Sequence, residues 1–390
     1  MEIRRSRHVD RVKHLLRHHP VVAILGARQV GKTTLARQVL KSWRGPRVIF
    51  DLEDEVDLQR VREPGLGLRE LRGLVVLDEI QHLPELFRQL RVLADRPRRP
   101  ARFLVLGSAS PALLHQSSES LAGRIAIHDL EGMALDEVVG RRGLDLDRLW
   151  LRGGFPASLL ARDQALSLRW RQDFIRTFLE RELPMLGTQV SPVALGRFWR
   201  MLAHWHGQIW NASELGRSLG LGDTAARRYL DLLASAFMVR TLQPWFENLG
   251  KRQVKAPKVY VADSGMLHAL LGIADQHDLL GHPKIGASWE GFLLGQVIQR
   301  LGARPEECYF WGTYQGAELD LLVVRGRHRL GVEFKRAEAP AMTPSMHIAL
   351  ADLKLDELIV VHGGRENWPM AERVRAVAAR NLVTELKPLK

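Results

Sequence analysis

The sequence predicts an α/β chain built from several domains, and three observations carry that reading. Short apolar runs at 21–25, 74–77 and 103–106 each lead into a glycine or an acidic residue, with helical patterns between them, as in a buried parallel sheet. Beyond residue 211 the pattern becomes two short helices and a hairpin, and beyond residue 287 a long helix followed by apolar strands. At 390 residues the chain is longer than one hydrophobic core usually supports.

Residues 26–34 read GARQVGKTT, between the apolar strand Val21–Leu25 and a helical LARQVLKSW. In that context the spacing G-x-x-x-x-G-K-T makes a phosphate site. Gly26 and Gly31 let the backbone of Gly26, Ala27, Arg28, Gln29, Val30, Gly31, Lys32, Thr33 and Thr34 curl until several N–H groups face one point. The helix starting near Lys32 turns the positive end of its dipole toward the same point. A triphosphate fits there, with Lys32 on the β- and γ-phosphates and the Thr33 hydroxyl on Mg²⁺, so ATP and Mg²⁺ are the expected cofactors.

The second strand, Leu74 to Leu77, ends in Asp78 and Glu79. A strand end beside the phosphate loop places Asp78 over the Mg²⁺ hydration shell and lets Glu79 polarise an attacking water as general base. Helix capping explains an aspartate there but not the doublet. The third strand ends in Gly107 and Ser108; Ser108 either hydrogen-bonds the γ-phosphate or the lytic water, or caps a helix. Arg124, closing SESLAGR, is the candidate finger for a neighbouring subunit's γ-phosphate, and Arg152, in LRGGFP, is a second candidate for sensing nucleotide. A solvated surface role is the alternative for both.

GARQVGKTT, LVVLDEIQHLP, FLVLGSASP, LAGR and LRGGFP, in this order, resemble the prokaryotic AAA-type ATPases whose C-terminal half carries a domain of unknown function, DUF4143. The resemblance spans nearly the whole chain. It implies a P-loop ATPase core with a helical lid, with Lys32, Thr33, Asp78, Glu79, Ser108 and Arg124 at the matching positions, and it brings no settled biological role.

The expected core covers 1–145 and a helical lid or linker 146–190, including a helix over 169–186. Another helix is expected over 193–206. Asn211 to Gly220 then reads as a capped short helix ending in glycine, Leu221 and Gly222 as a tight turn, and DTAARRYLDLLASA as a second helix displaying Arg227 and Arg228. Two strands follow, at 237–245 and 255–261, joined by a polar tip with Lys251 and Arg252. A helix-turn-helix followed by a hairpin is a winged helix, placed at 191–280. Basic residues on its second helix and wing tip suit nucleic acid, although such modules also serve as protein contacts or lids.

In 281–390, WEGFLLGQVIQRL is an amphipathic helix with Glu290 near its start. Strands at 309–311, 317–324 and 329–335 follow, and a helix is expected at 370–380. Asp320 and the Glu333-x-Lys335 pair fall at adjoining places on a hairpin. Carboxylates on neighbouring strands suit one Mg²⁺, and Lys335 lies on the same face as Glu333 because strand side chains alternate. Glu290, Asp320, Glu333 and Lys335 resemble, in order, the helix acid, aspartate and E-x-K of the PD-(D/E)xK nuclease superfamily. The resemblance implies a restriction-endonuclease-like α/β domain in which the three acids hold metal and Lys335 orients water. The alternatives are an ion-paired surface or a nuclease fold kept as scaffold.

The formal charge of +13 suits a polyanionic partner. No apolar stretch reaches the length of a membrane span and the Arg-rich start has no signal-peptide core, so the expectation is a cytoplasmic protein without a membrane partner. A single cysteine, Cys308, agrees with a reducing compartment. The scattered histidines form no zinc pattern. Three functions stay open: an ATP-driven motor or switch engaging DNA ahead of RNA and working as a homo-oligomer, with a ring as one form; a nucleotide-controlled protein-interaction switch with an inactive tail; and an ATP-regulated metal-dependent nuclease.

Overall fold

Five parallel strands, in the order β2-β3-β4-β1-β5, form the sheet of the amino-terminal part of the chain: β1 (Val21–Leu25), β2 (Arg47–Asp51), β3 (Gly73–Asp78), β4 (Ala101–Gly107) and β5 (Ile125–Asp129). The computed structural model describes residues 2–62, 68–96, 101–107, 121–185, 190–246 and 253–389. It divides into two compact units, Met1–Gly132 with Ser235–Phe237, and Met133–Ala234 with Met238–Lys390. All of β1 is buried, which explains why the strand reads as a continuous apolar run. Val21, Ala23, Leu25, Val75, Leu77, Phe103 and Val105 of the sheet pack with Phe87 and Leu90 of the helix Leu86–Ala94 in one core.

The chain start is strapped to this core. Gln38, on the helix Lys32–Ser42, accepts from the Arg5 amide at 2.9 Å and donates to the Ile3 carbonyl at 2.9 Å. The buried Arg5 guanidinium donates to the carbonyls of Glu131 (3.1 Å), Gly132 (3.2 Å) and Val30 (3.4 Å). One side chain thus joins the segment after β5 to the turn after β1.

The second unit holds a nine-stranded sheet in the order β13-β14-β12-β11-β10-β9-β7-β8-β6. Its strands are β6 (Gln208–Ile209), β7 (Val239–Pro244), β8 (Lys258–Val261), β9 (Cys308–Gly312), β10 (Glu318–Arg325), β11 (His328–Lys335), β12 (Glu357–His362), β13 (Trp368–Ala371) and β14 (Val374–Ala378). β6 comes between the helices Pro192–His204 and Ala212–Leu219, and after the helix Asp223–Ser235 the chain forms the antiparallel β7–β8 pair; β8 also pairs with β6, and β7 joins the remaining sheet through a parallel pair with β9. The helix Ala212–Leu219 is capped by the Asn211 side chain and stops at Gly220 in the left-handed region, so the expected helix, turn and helix are present. The expected helix over 169–186 is found as Gln164–Thr177, a π turn Phe178–Glu182 and Leu183–Met185.

The helix expected at 370–380 is instead strand, turn and strand. Val374, Ala376, Val377 and Ala378 are buried as β14 pairs in parallel with β12. A strand covered on both faces loses the alternation that marks strands, and its alanines imitate a helix.

Before these sheets, the LRGGFP segment builds a buried polar network. Asp263 accepts from the amides of Gly154 (2.7 Å) and Met266 (2.9 Å), and a Cβ on Gly153, whose φ is 75°, would lie 2.1 Å from the Asp263 carboxylate. Buried Arg171 donates to the Gly265 carbonyl at 2.9 Å. His268 Nδ1 faces the Leu151 carbonyl at 3.0 Å, which can only accept; Nε2 therefore accepts from the Ser288 hydroxyl at 2.7 Å, and Ser288 accepts from Trp150 Nε1 at 2.9 Å. Gly153→Ala combines a steric clash with a strained φ and should cost about 3 kcal/mol or more. Urea unfolding would read this as a lower midpoint; an unchanged midpoint would contradict the packing described.

Candidate functional site

The turn between β1 and the helix Lys32–Ser42 is shaped by two glycines. A Cβ at Gly26 would lie 2.3 Å from the Leu130 carbonyl oxygen, and Gly31 takes φ 102° at the head of the helix. Gln29 is also left-handed, at φ 59°. The first helical turn carries no acidic residue and receives no side-chain cap, so its amide donors face the concave side of the loop. Lys32, only 5% exposed, folds into that concavity and donates from Nζ to the carbonyls of Gly26 (3.0 Å) and Ala27 (2.9 Å). A loop that holds its lysine on its own carbonyls can exchange them for phosphate oxygens without moving the backbone far.

Asp78 closes β3 and is buried. In the sheet β4 separates β3 from β1. The two ends still meet, because Thr33 hydrogen-bonds the Asp78 carboxylate. Burial raises the Asp78 pKa, the Thr33 hydrogen bond opposes this, and the neighbouring charges of Glu79 and Asp51 add to the rise. Asp51 ends β2 in register with Asp78, giving this edge three carboxylates. The oxygen donors of Thr33 and Asp78 suit a magnesium ion that takes its remaining ligands from phosphate and water.

Glu79 adopts φ 52°, a left-handed backbone unusual for glutamate and a form of strain that collects at functional sites. Its amide donates to Asp78 Oδ1 at 3.0 Å, and its carboxylate accepts from the Gln81 side-chain amide. Gln81 was not foreseen; its only signal was a polar amide two positions beyond the acidic doublet.

Arg124 immediately precedes β5, at the edge of the sheet opposite the loop, and grips Asp95 with two nitrogens, Nη2 at 3.0 Å. Arg152 is buried in the second unit and donates to Gln164 Oε1 (2.9 Å) and the Ala161 carbonyl (2.7 Å). Ser108, Lys251 and Arg252 lie outside the described residues. Arg227 and Arg228 are both exposed on the helix Asp223–Ser235.

In the second unit the four tail residues converge, but around an unexpected cation. Asp320 and Glu333 face each other across the β10–β11 pair, and the Phe334 amide donates to Asp320 Oδ2 at 3.0 Å. Lys335 bonds Glu333 Oε2 at 2.8 Å, and the helix Ile285–Leu301 brings Glu290. Lys258, on β8, points its ammonium among the acids, 3.6 Å from Glu290, 3.7 Å from Asp320 and 3.9 Å from Glu318, while Tyr260 donates to Glu290 at 2.7 Å. Burial alone would lower the Lys258 pKa, but Glu290, Asp320, Glu318 and Glu333 outweigh it and keep the group protonated. The expected metal cage of Glu290, Asp320 and Glu333 is thereby corrected: among the described residues no group of three or more His, Cys, Asp or Glu side chains could hold a metal ion.

A parallel sheet whose first strand enters a helix through this lysine-filled loop, with an acidic strand end meeting the loop's threonine, defines a P-loop nucleotide-binding protein of the AAA type. A family model described as an AAA domain matches residues 18–139, and two described as domains of unknown function, DUF8612 and DUF4143, match 143–277 and 285–382. Uncharacterised proteins of Mycobacterium bovis and Mycobacterium tuberculosis are each 48% identical over 384 residues, covering 98% of this chain and 86% of their own. The chain belongs to the family of AAA-type ATPases that carry a C-terminal DUF4143. A Walker-type ATPase of Pyrococcus abyssi shares the fold at a TM-score of 0.51 and 19% identity, covering 69% of this chain and 96% of that one. No helix among the described residues is long and apolar enough to cross a membrane.

Burial, and then the charge of Asp320, pushes the Glu290 pKa up to about 7 and that of Glu333 up to about 8. Carboxyls whose pKa rises on folding stabilise fully below their unfolded value, and lose that contribution as pH climbs through the folded one. The buried histidines His8, His206 and His268 and the half-buried His128, held neutral mainly by desolvation, exert their pH effect lower. The thermal midpoint should therefore fall between about pH 6.5 and pH 9, with a shallower slope in Glu333→Gln. A midpoint that climbs across this range would refute the buried-carboxyl account.

Proposed function

We propose that the protein is an ATP-hydrolysing switch or motor that engages DNA through a winged helix and acts as a homo-oligomer. The convergence of Lys32, Thr33 and Asp78 at one loop carries this reading. Lys32 releases the Gly26 and Ala27 carbonyls and takes up the β- and γ-phosphates, while the bared amides of the first helical turn hold the remaining oxygens. Thr33 and Asp78 would hold Mg²⁺, which when bound would supply charge neutralisation on the phosphates. Glu79, fixed in direction by Gln81 and by its strained backbone, orients the attacking water and accepts its proton.

The helix Asp223–Ser235, preceded by a capped helix and followed by the β7–β8 hairpin, supports the winged-helix reading. The exposure of Arg227 and Arg228 and the overall charge of +13 support a phosphate-rich partner, and a helix of that size suits the DNA major groove better than the narrow one of RNA. Arg124 at the far edge of the sheet supports assembly, because from there it can reach only a neighbour's nucleotide. The order helix acid, aspartate, E-x-K supports a nuclease-like tail, and Lys258 among its acids favours a scaffold over a metal-dependent nuclease.

Lys32→Ala should lose nucleotide binding, whereas Glu79→Gln should retain ATP and lose turnover by about a hundredfold or more. Equilibrium binding and phosphate release measure both; undiminished ATP binding by Lys32→Ala would break the assignment. For the DNA reading, affinity should drop steeply with added salt, and the double change Arg227→Ala/Arg228→Ala should flatten the slope by roughly two charges. Equal slopes for the parent and the double variant would remove these arginines from the interface.

A further inference from the structure

We propose that Lys258 is the resident cation of the acidic cluster in the second unit, a tethered ammonium in the place where a nuclease-like tail would hold a divalent ion. The inference rests on the nuclease-like reading of the tail. Its ground is the convergence of three elements on one point: β10 and β11 present Asp320 and Glu333 face to face, the helix Ile285–Leu301 delivers Glu290, and β8 sends in Lys258 from the hairpin side. Lys258 and Tyr260, two apart on β8, share a face; one spans Glu290, Asp320 and Glu318 and the other bonds Glu290.

A magnesium or manganese ion shared by Glu290 and Asp320 has to approach an oxygen of each to about 2 Å. The Lys258 ammonium stands 3.6 and 3.7 Å from those two carboxylates, so such an ion would crowd a buried positive charge. The aliphatic stem has no exit, since the side chain is 7% exposed and its ammonium also lies 5.6 Å from the Phe310 ring centre. Lys258 therefore does two things: it blocks hydrolytic metal chemistry, and it fastens the β7–β8 hairpin to the acid-bearing strands by charge.

The test is Mn²⁺ binding to the nucleotide-free full chain, followed by electron paramagnetic resonance, in the wild type, Lys258→Met, Asp320→Asn and the double variant. Methionine keeps the length and removes the charge. The wild type should show no Mn²⁺ site that depends on Asp320. Lys258→Met should gain one, at least roughly tenfold tighter than any wild-type binding, and the double variant should lose it. A folded Lys258→Met without that gain would overturn the proposal. So would Mn²⁺ binding by the wild type that Asp320→Asn abolishes, and this arm decides the matter even where Lys258→Met fails to fold. Cleavage of duplex or single-stranded DNA by the wild type in Mg²⁺ or Mn²⁺, lost in Asp320→Asn, would overturn the inference while upholding the nuclease-like reading. A folded Lys258→Met with neither metal binding nor cleavage would go against both.

Discussion

The close approach of Gly26 to the Leu130 carbonyl is the constraint on which the nucleotide site depends. It brings the segment after β5 against the start of the phosphate loop, so the loop has a rigid wall on one side and β1 behind it. Arg5 fastens the same wall to Val30 at the loop's other end and draws the chain start into the assembly. With both ends fixed, Gln29 and Gly31 supply the left-handed turns that aim the helix Lys32–Ser42 at the concavity. The Lys32 ammonium rests on the neutral carbonyl oxygens of Gly26 and Ala27, a place that the anionic oxygens of a phosphate would take in a prearranged cavity.

Both units use buried charge, to opposite ends. In the first, the carboxyl edge of the sheet collects Asp51, Asp78 and Glu79, and the Thr33 hydroxyl and the Glu79 amide both meet the Asp78 carboxylate. Such an edge suits a metal that arrives with a ligand. In the second, Glu290, Asp320 and Glu333 come with Lys258 and Lys335 already in contact. Buried ion pairs contribute little net stability but strongly penalise the loss of one partner, so the lysines fix an arrangement more than they strengthen it. A similar complement of acids is therefore poised for a cation in one unit and satisfied in the other.

Much of this was legible in the chain itself. The three apolar runs that became β1, β3 and β4, the phosphate loop, the capped helix ending at Gly220 and the facing of Asp320 and Glu333 all follow from local pattern, because each is set by neighbours close in sequence. What escaped was set at a distance. The placement of β4 between β1 and β3 is a matter of strand order, which no local spacing encodes. Arg152 looked available beside a double glycine, but Gln164 and Ala161 engage it. Lys258 sits in a strand read only as half of a hairpin, and nothing near it announces that its ammonium will meet carboxylates from about thirty to sixty residues further on. β14 was mistaken for helix because burial on both faces erased its alternation.

The loop after β1, with Thr33 and Asp78 beside it, has the form of a triphosphate site that magnesium would complete. Calorimetric titration of the full chain with ATP, in the presence and absence of Mg²⁺, tests it most directly. The account predicts one site per chain whose affinity strengthens by about tenfold or more with the ion, equivalent to about 1.4 kcal/mol. Absence of binding heat under both conditions, or binding indifferent to magnesium, would contradict it.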